Sequence, residues 1–220
     1  PADDDVDGFS TCSGDCDDTD PTLELLDIDG DGYTTCDGDC DDNNPIITGY
    51  DGDGDGSSVC DEDCNDADPI LNTNDTDGDG WTSCDGDCDD LDIHTFPGAA
   101  ELNSATLCMT DSDEDGYGEM LPSAGIAAGT DCDDTNSATF IGSAELDSSS
   151  LCMIDADNDG YGEMLTTLGI SPGSDCNDQS ELLTPGDFDG DGISTCDGDC
   201  NDLDIHTFPG AADVTSTTAC

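Results

Sequence analysis

The sequence has no lysine and no arginine in 220 residues, against 58 Asp and Glu and two His. No carboxylate can therefore pair with a Lys or Arg side chain of its own chain. The formal charge of -58 opposes any compact state by self-repulsion. Its sign also disfavours nucleic acid and anionic membrane surfaces as partners, so neither nucleic-acid binding nor membrane insertion is expected. Aromatic residues are scarce, at 5%. No apolar run approaches membrane-spanning length; pieces such as "LELL" are as long as they become. A basic-then-apolar leader and an N-terminal Met are missing, so a mature or partial chain of a larger repetitive protein is inferred. Missing too are a nucleophile beside a base, a catalytic His pair and a cation to hold an anionic substrate, which makes the expected role non-enzymatic.

What is present is Asp far more than Glu, together with 15 Cys. Cysteine at that density reads as a crosslinked scaffold in an oxidising compartment, extracellular or at a cell surface. The positive charge the chain lacks is then expected from metal ions.

The chain repeats itself. The pattern D-x-D-x-D-G begins at Asp3, Asp27, Asp51, Asp75, Asp111, Asp155 and Asp187. These starts divide the chain into 1-26, 27-50, 51-74, 75-110, 111-154, 155-186 and 187-220. In five of the units a tail such as "CDGDCDD" follows at once. In the fifth and sixth an insertion, "GYGEMLPSAGIAAG" or "GYGEMLTTLGISPG", delays it. The stretch from Asp75 returns at Asp187, so the last unit restarts a super-repeat of 112 residues. Gly and Asp disfavour helix and strand interiors, and the apolar pieces are short. The expected fold is irregular: an elongated, solenoid-like tandem array of calcium-binding repeats, stapled by disulfides in place of a core.

Carboxylates at loop positions 1, 3 and 5 with Gly at 6 can curl round one cation, and position 7 can add its carbonyl. The starts named above supply position 1. Position 3 is Asp5, Asp29, Asp53, Asp77, Asp113, Asp157 or Asp189. Position 5 is Asp7, Asp31, Asp55, Asp79, Asp115, Asp159 or Asp191. Position 7 is Phe9, Tyr33, Ser57, Trp81, Tyr117, Tyr161 or Ile193, a variety that suits a main-chain ligand. The bidentate Glu that closes an EF-hand at position 12 is replaced in most units by Gly. Two later carboxylates are expected instead: Asp15 and Asp18, Asp39 and Asp42, Asp63 and Asp66, Asp87 and Asp90, Asp131 and Asp134, Asp175 and Asp178, Asp199 and Asp202. The residue before the last Asp alternates between Asp and Asn and reads as less essential. An all-oxygen, flexible set suits Ca²⁺ better than Mg²⁺ or a soft metal. At least seven ions are expected, with room for two per repeat, because seven divalent ions remove only 14 of the 58 negative charges.

Five units carry C-x₃-C, and the other two have a Cys just before the loop instead. Pairing within each unit is the expectation: Cys12-Cys16, Cys36-Cys40, Cys60-Cys64, Cys84-Cys88, Cys196-Cys200, and across the insertions Cys108-Cys132 and Cys152-Cys176. Cys220 is left over, with a partner expected further along a longer chain or in a second copy; further repeats or head-to-tail self-association are the partners this suggests. His94 and His206, in "DIHTFPG", read as packed or exposed side chains and not as copper ligands. Asn74-Asp75-Thr76 is a glycosylation sequon beside a proposed ligand.

The "DGDGYTTCDGDCDDNNP" core and the later "PGAAE" resemble the MopE-type metal-binding repeats of prokaryotic surface proteins and, more distantly, the type 3 repeats of thrombospondins. The resemblance implies an extracellular module wrapped round calcium, serving as stalk, fibre or matrix. The first family is also associated with copper. The competing expectation is a calcium-dependent adhesin or a metal-scavenging, copper-binding module.

Overall fold

The computed structural model describes residues 4–6, 8–10 and 15–212. Asp3, Asp7, Cys12 and Cys220 lie outside the described residues. The chain gathers into two compact units, Pro1–Ile93 and His94–Cys220. That boundary falls inside the 75-110 segment, because residues after Ile93 fold with the loop that follows them. No helix among the described residues is long and apolar enough to cross a membrane.

The first unit has neither α-helix nor strand among its described residues. Its regular structure is three single 3₁₀ turns, η1 (Thr35–Asp37), η2 (Val59–Asp61) and η3 (Ser83–Asp85). Their shared sequence, hydroxyl-x-Cys-Asp, explains them. Thr34 and Thr82 accept the N–H of Asp37 and Asp85 at 3.3 and 3.1 Å. The hydroxyls of Thr34, Ser58 and Thr82 donate to the carboxylates of Asp37, Asp61 and Asp85 at 2.8 to 2.9 Å. Each turn ends on a left-handed residue, Gly38, Glu62 or Gly86. Only Glu62 has a Cβ in that conformation, with φ of 69°.

The second unit adds a small hairpin. Strands β1 (Thr95–Pro97) and β2 (Cys108–Thr110) pair antiparallel with Thr95 opposite Thr110, and their buried hydroxyls lie 2.8 Å apart. The arrangement returns 44 residues later. The amide of Gly98 donates to Leu107 as that of Gly142 does to Leu151, and Asp111 to His94 as Asp155 to Ala138. Among the described residues the buried apolar side chains are Ala100, Met109, Ala144 and Met153, all in this unit. A fourth 3₁₀ turn, η4 (Thr195–Asp197), repeats the turns of the first unit. As expected, among the described residues regular structure is almost absent and no sizeable apolar core forms.

The disulfides depart from the expected pairing throughout. Cys16 pairs with Cys36, Cys40 with Cys60, Cys64 with Cys84, Cys132 with Cys152, and Cys176 with Cys196, each at a separation of 20. Cys88, Cys108 and Cys200 are disulfide-bonded as well. The short pairs Cys12-Cys16, Cys36-Cys40, Cys60-Cys64, Cys84-Cys88 and Cys196-Cys200 are thereby excluded, as are Cys108-Cys132 and Cys152-Cys176. The reason lies in the 3₁₀ turn and the left-handed residue inside C-x₃-C. They send its two cysteines to opposite neighbours: Cys36 N–H donates back to Glu24 O, and Cys40 N–H reaches forward to Cys60 Sγ. Four of these five staples join consecutive segments, whereas Cys132–Cys152 closes within 111-154, ending on the cysteine just before the next loop.

Candidate metal centres

Each loop is wound by its own carboxylates. In the second unit of the array, Asp27 accepts the amides of Gly30 and Gly32 at 2.6 and 3.1 Å, one on each oxygen. Those glycines lie at φ of 83° and 103°, a region a side chain rarely enters. Asp29 Oδ1 accepts the Asp31 N–H at 3.1 Å, and Asp31 Oδ1 accepts the Tyr33 N–H at 2.8 Å. Asp39 Oδ1 takes the Asp41 N–H at 2.9 Å. The same set recurs from Asp51, Asp75 and Asp187. In the long units Asp111 and Asp155 hold the amides of Gly116 and Gly160 instead, both at 2.9 Å.

The two halves of each loop are tied by the sixteenth-position carboxylate or its counterpart. Asp42, Asp66, Asp90 and Asp202 accept the amides of Ile28, Gly52, Thr76 and Phe188 at 2.7 to 3.2 Å. Asp134 and Asp178 do the same for Ser112 and Ala156 at 3.0 and 2.9 Å, across an insertion. Asp18 accepts the Asp4 N–H at 3.3 Å. The late carboxylates thus reach the early half of the loop through a backbone hydrogen bond.

Where only one oxygen of a carboxylate is committed to the backbone, the other is left over. Oδ2 is buried with no hydrogen-bond partner in Asp29, Asp31 and Asp39; Asp53, Asp55 and Asp63; Asp77, Asp79 and Asp87; Asp113, Asp115 and Asp131; Asp159 and Asp175; and Asp189, Asp191, Asp199 and Asp202. Native proteins carry few such groups, and a buried charge without a counterion is strongly disfavoured. Carboxylate oxygens of Asp27, Asp29 and Asp31 lie within 4.8 Å of one another, as do those of Asp29, Asp39 and Asp42. In this loop the five carboxylates expected from sequence thus form two clusters that share Asp29. In the sixth unit Asp157 differs: its Oδ2 accepts the Ser180 N–H at 2.6 Å.

Burial raises the affinity of some of these carboxyls for protons, and neighbouring carboxylates add to it, while the backbone N–H bonds oppose it. Asp131 is pushed up to about 7, and Asp115, Asp159 and Asp178 to about 6. Asp29, Asp53, Asp79, Asp87 and Asp189 are raised for the same first reason.

Position 7 contributes its N–H to the loop, and its side chain packs outside it. Tyr33 stacks on Tyr50 with centroids 5.9 Å apart, and Tyr117 on Phe140 at 4.1 Å. His94 is half-buried and His206 is exposed. Asn74 is exposed, but the hydroxyl of Thr76 in its sequon donates to Asp90 at 2.8 Å.

Asn103 and Asp147 escaped sequence reasoning. Asn103 Oδ1 accepts the amides of Gly118 and Thr130 at 3.0 and 2.9 Å, closing the insertion at its base. Asp147 does the same for Gly162 and Ser174 at 3.0 and 2.7 Å. Their signal was the kinship of "GAAELNS" and "GSAELDS", 44 residues apart. No protein family, curated protein or solved structure matches the chain.

Proposed function

We propose that the chain is a calcium-stabilised structural segment of an extracellular surface protein or filament, an elongated array of repeats in which each loop closes round an ion. The observation that carries this reading is the recurring set of buried, unpartnered Oδ2 atoms. A cation at that place would satisfy them together, and their all-oxygen chemistry suits Ca²⁺. Binding to a site absent from the unfolded chain is itself folding free energy. That would offset the self-repulsion of 58 acidic residues in a chain with almost no apolar core. The disulfides suit an oxidising compartment, and the MopE-type resemblance points to the same setting.

The test is calcium titration of the metal-stripped, disulfide-intact chain, followed by circular dichroism and small-angle scattering, with magnesium and copper as controls. The expected result is conversion from an expanded chain to a defined elongated particle with seven or more Ca²⁺ bound. A chain already compact without calcium, or responsive to copper alone, would overturn the reading.

A further inference from the structure

Four loops, from Asp27, Asp51, Asp75 and Asp187, run directly into a 3₁₀ turn, and in three of them the chain is clasped across the neck of the loop. Ahead of the loop from Asp27, the Glu24 N–H donates to the Thr35 hydroxyl at 2.7 Å, and that hydroxyl donates back to Glu24 O at 3.2 Å. The Cys36 N–H adds a third bond to the same carbonyl at 3.3 Å. Asn72 is held in the same way by Ser83 and Cys84 at 2.9, 3.1 and 3.3 Å. Thr184 is held by Thr195 and Cys196 at 2.7, 3.0 and 3.2 Å. The loop from Asp51 differs. The residues facing each other across its neck are Thr48 and Val59. Val59 has no hydroxyl, and none of the three bonds joins Thr48 to Val59 or Cys60; the Thr48 hydroxyl accepts the Tyr50 N–H instead, at 3.3 Å. The same turn ends on Glu62, left-handed at φ of 69°, where the other three end on glycine. The bonds from Ser58 to Asp61 lie within the turn and do not reach the neck. Two departures from the rule of the array thus fall on one loop, and both leave it less pre-organised than its neighbours.

We propose that the loop from Asp51 is the calcium-responsive point among these four, the one that gives up its ion and opens first as free calcium falls. The inference rests on the reading of the loops as calcium sites. Its carboxylates match those of its neighbours: Asp51 holds Gly54 and Gly56 as Asp75 holds Gly78 and Gly80. The difference lies in what closes the loop. Where a clasp is present, the neck is drawn together by three hydrogen bonds that need no ion. In the loop from Asp51 the ion must order the neck as well as satisfy the carboxylates, and its affinity is lower by the free energy which that ordering takes. Local opening is drawn from such weakly tied segments. The opening is also contained. The loop lies inside the ring closed by Cys40 and Cys60, so it can swing open without leaving the array.

The experiment uses the full, disulfide-intact chain in buffers of falling free calcium, with amide hydrogen exchange read residue by residue by NMR. Gly54 and Gly56 should lose protection at about tenfold higher free calcium than the equivalent Gly78 and Gly80. Val59→Thr supplies the missing hydroxyl and should bring Gly54 and Gly56 to within about threefold of Gly78 and Gly80. Thr35→Val removes a hydroxyl without changing the shape of the side chain, and should move Gly30 and Gly32 to about tenfold higher free calcium. Equal midpoints in the unaltered chain, or an unmoved midpoint in Thr35→Val, would overturn the inference while leaving calcium binding intact. A chain in which no loop responds to calcium would overturn the underlying reading as well.

Discussion

The short loops of the first unit and the long loops of the second hold the same carboxylates by different means. In the short loop from Asp51, the chain passes from Ser57 through a capped 3₁₀ turn to Asp63 with no buried apolar side chain beside it. In the long loop from Asp111, the chain leaves at Gly118, returns at Asp131, and is pinned by Asn103 against the Ala100 and Met109 pad. Asp131 is 0% exposed, against 7% for Asp63. The long loop has a scaffold independent of any ion, and its carboxyls feel that burial as a stronger hold on the proton. The short loop depends on its staple and on whatever neutralises it.

The largest difference should appear with pH, because several carboxylates act together. A carboxyl raised in the folded state contributes stability that is full below its unfolded value near 3.8 and is lost as pH rises through the folded value. For the long loops that loss runs up to about 6 to 7. The metal-stripped chain should therefore resist urea better at pH 5 than at pH 8, with amides of residues 111–134 and 155–178 keeping hydrogen-exchange protection to higher pH than those of 51–66. Calcium should reverse the trend, since protons compete for the same oxygens. Equal pH midpoints in both kinds of loop would break the comparison.

Removing a staple should matter next. Replacing Cys64 and Cys84 by Ala should cost about 3 kcal/mol from the unfolded-state constraint alone. The same change at Cys132 and Cys152 should leave the hairpin-backed loop folded at calcium levels where the short one has opened. Chemical denaturation at fixed calcium measures both.

Glycine tests the packing. A Cβ on Gly118 would lie 3.0 Å from that of Ala100 and 3.2 Å from Thr110 O, so Gly118→Ala should cost about 2 kcal/mol by overpacking. Ala100→Gly in the same chain should restore part of it. Gly32 has open space but φ of 103°, so Gly32→Ala should cost about 1–2 kcal/mol with no packing partner able to rescue it. Smallest of all, Glu62→Gly should stabilise its unit by about 1 kcal/mol, by relieving a left-handed residue that has a side chain. Thermal melts at saturating calcium would register each change.

The carboxylate set was legible in the sequence because its spacing is the chemistry: positions 1, 3, 5 and the late pair converge as the alternation of Asp and Gly dictates. The scarcity of helix and strand followed from the same residues. The disulfides were misjudged because closure within each unit was assumed. Yet each of the seven "DC" cysteines has another Cys 20 residues on, a constant step that survives both insertions. The insertions fall between the two halves of a loop, outside that interval, so they change the spacing of the loops and not of the staples. The hairpin at Thr95–Pro97 and Cys108–Thr110 was hidden by its length: three residues a side are too few for a period to show.

The constant step also decides what a protease could sever. The staples Cys16–Cys36, Cys40–Cys60 and Cys64–Cys84 turn the first unit into closed rings set nearly end to end. Exposed Leu25, Ile46 and Ile70 are natural places to cut, and all lie inside a ring, where one broken peptide bond leaves the thread whole. Between Cys152 and Cys176 no ring protects the strand, and there Leu165 and Leu168 stand almost bare. A single nick among them divides the chain, so Asp155 and Asp175, both deeply buried, sit at the two ends of a stretch that one cut can break.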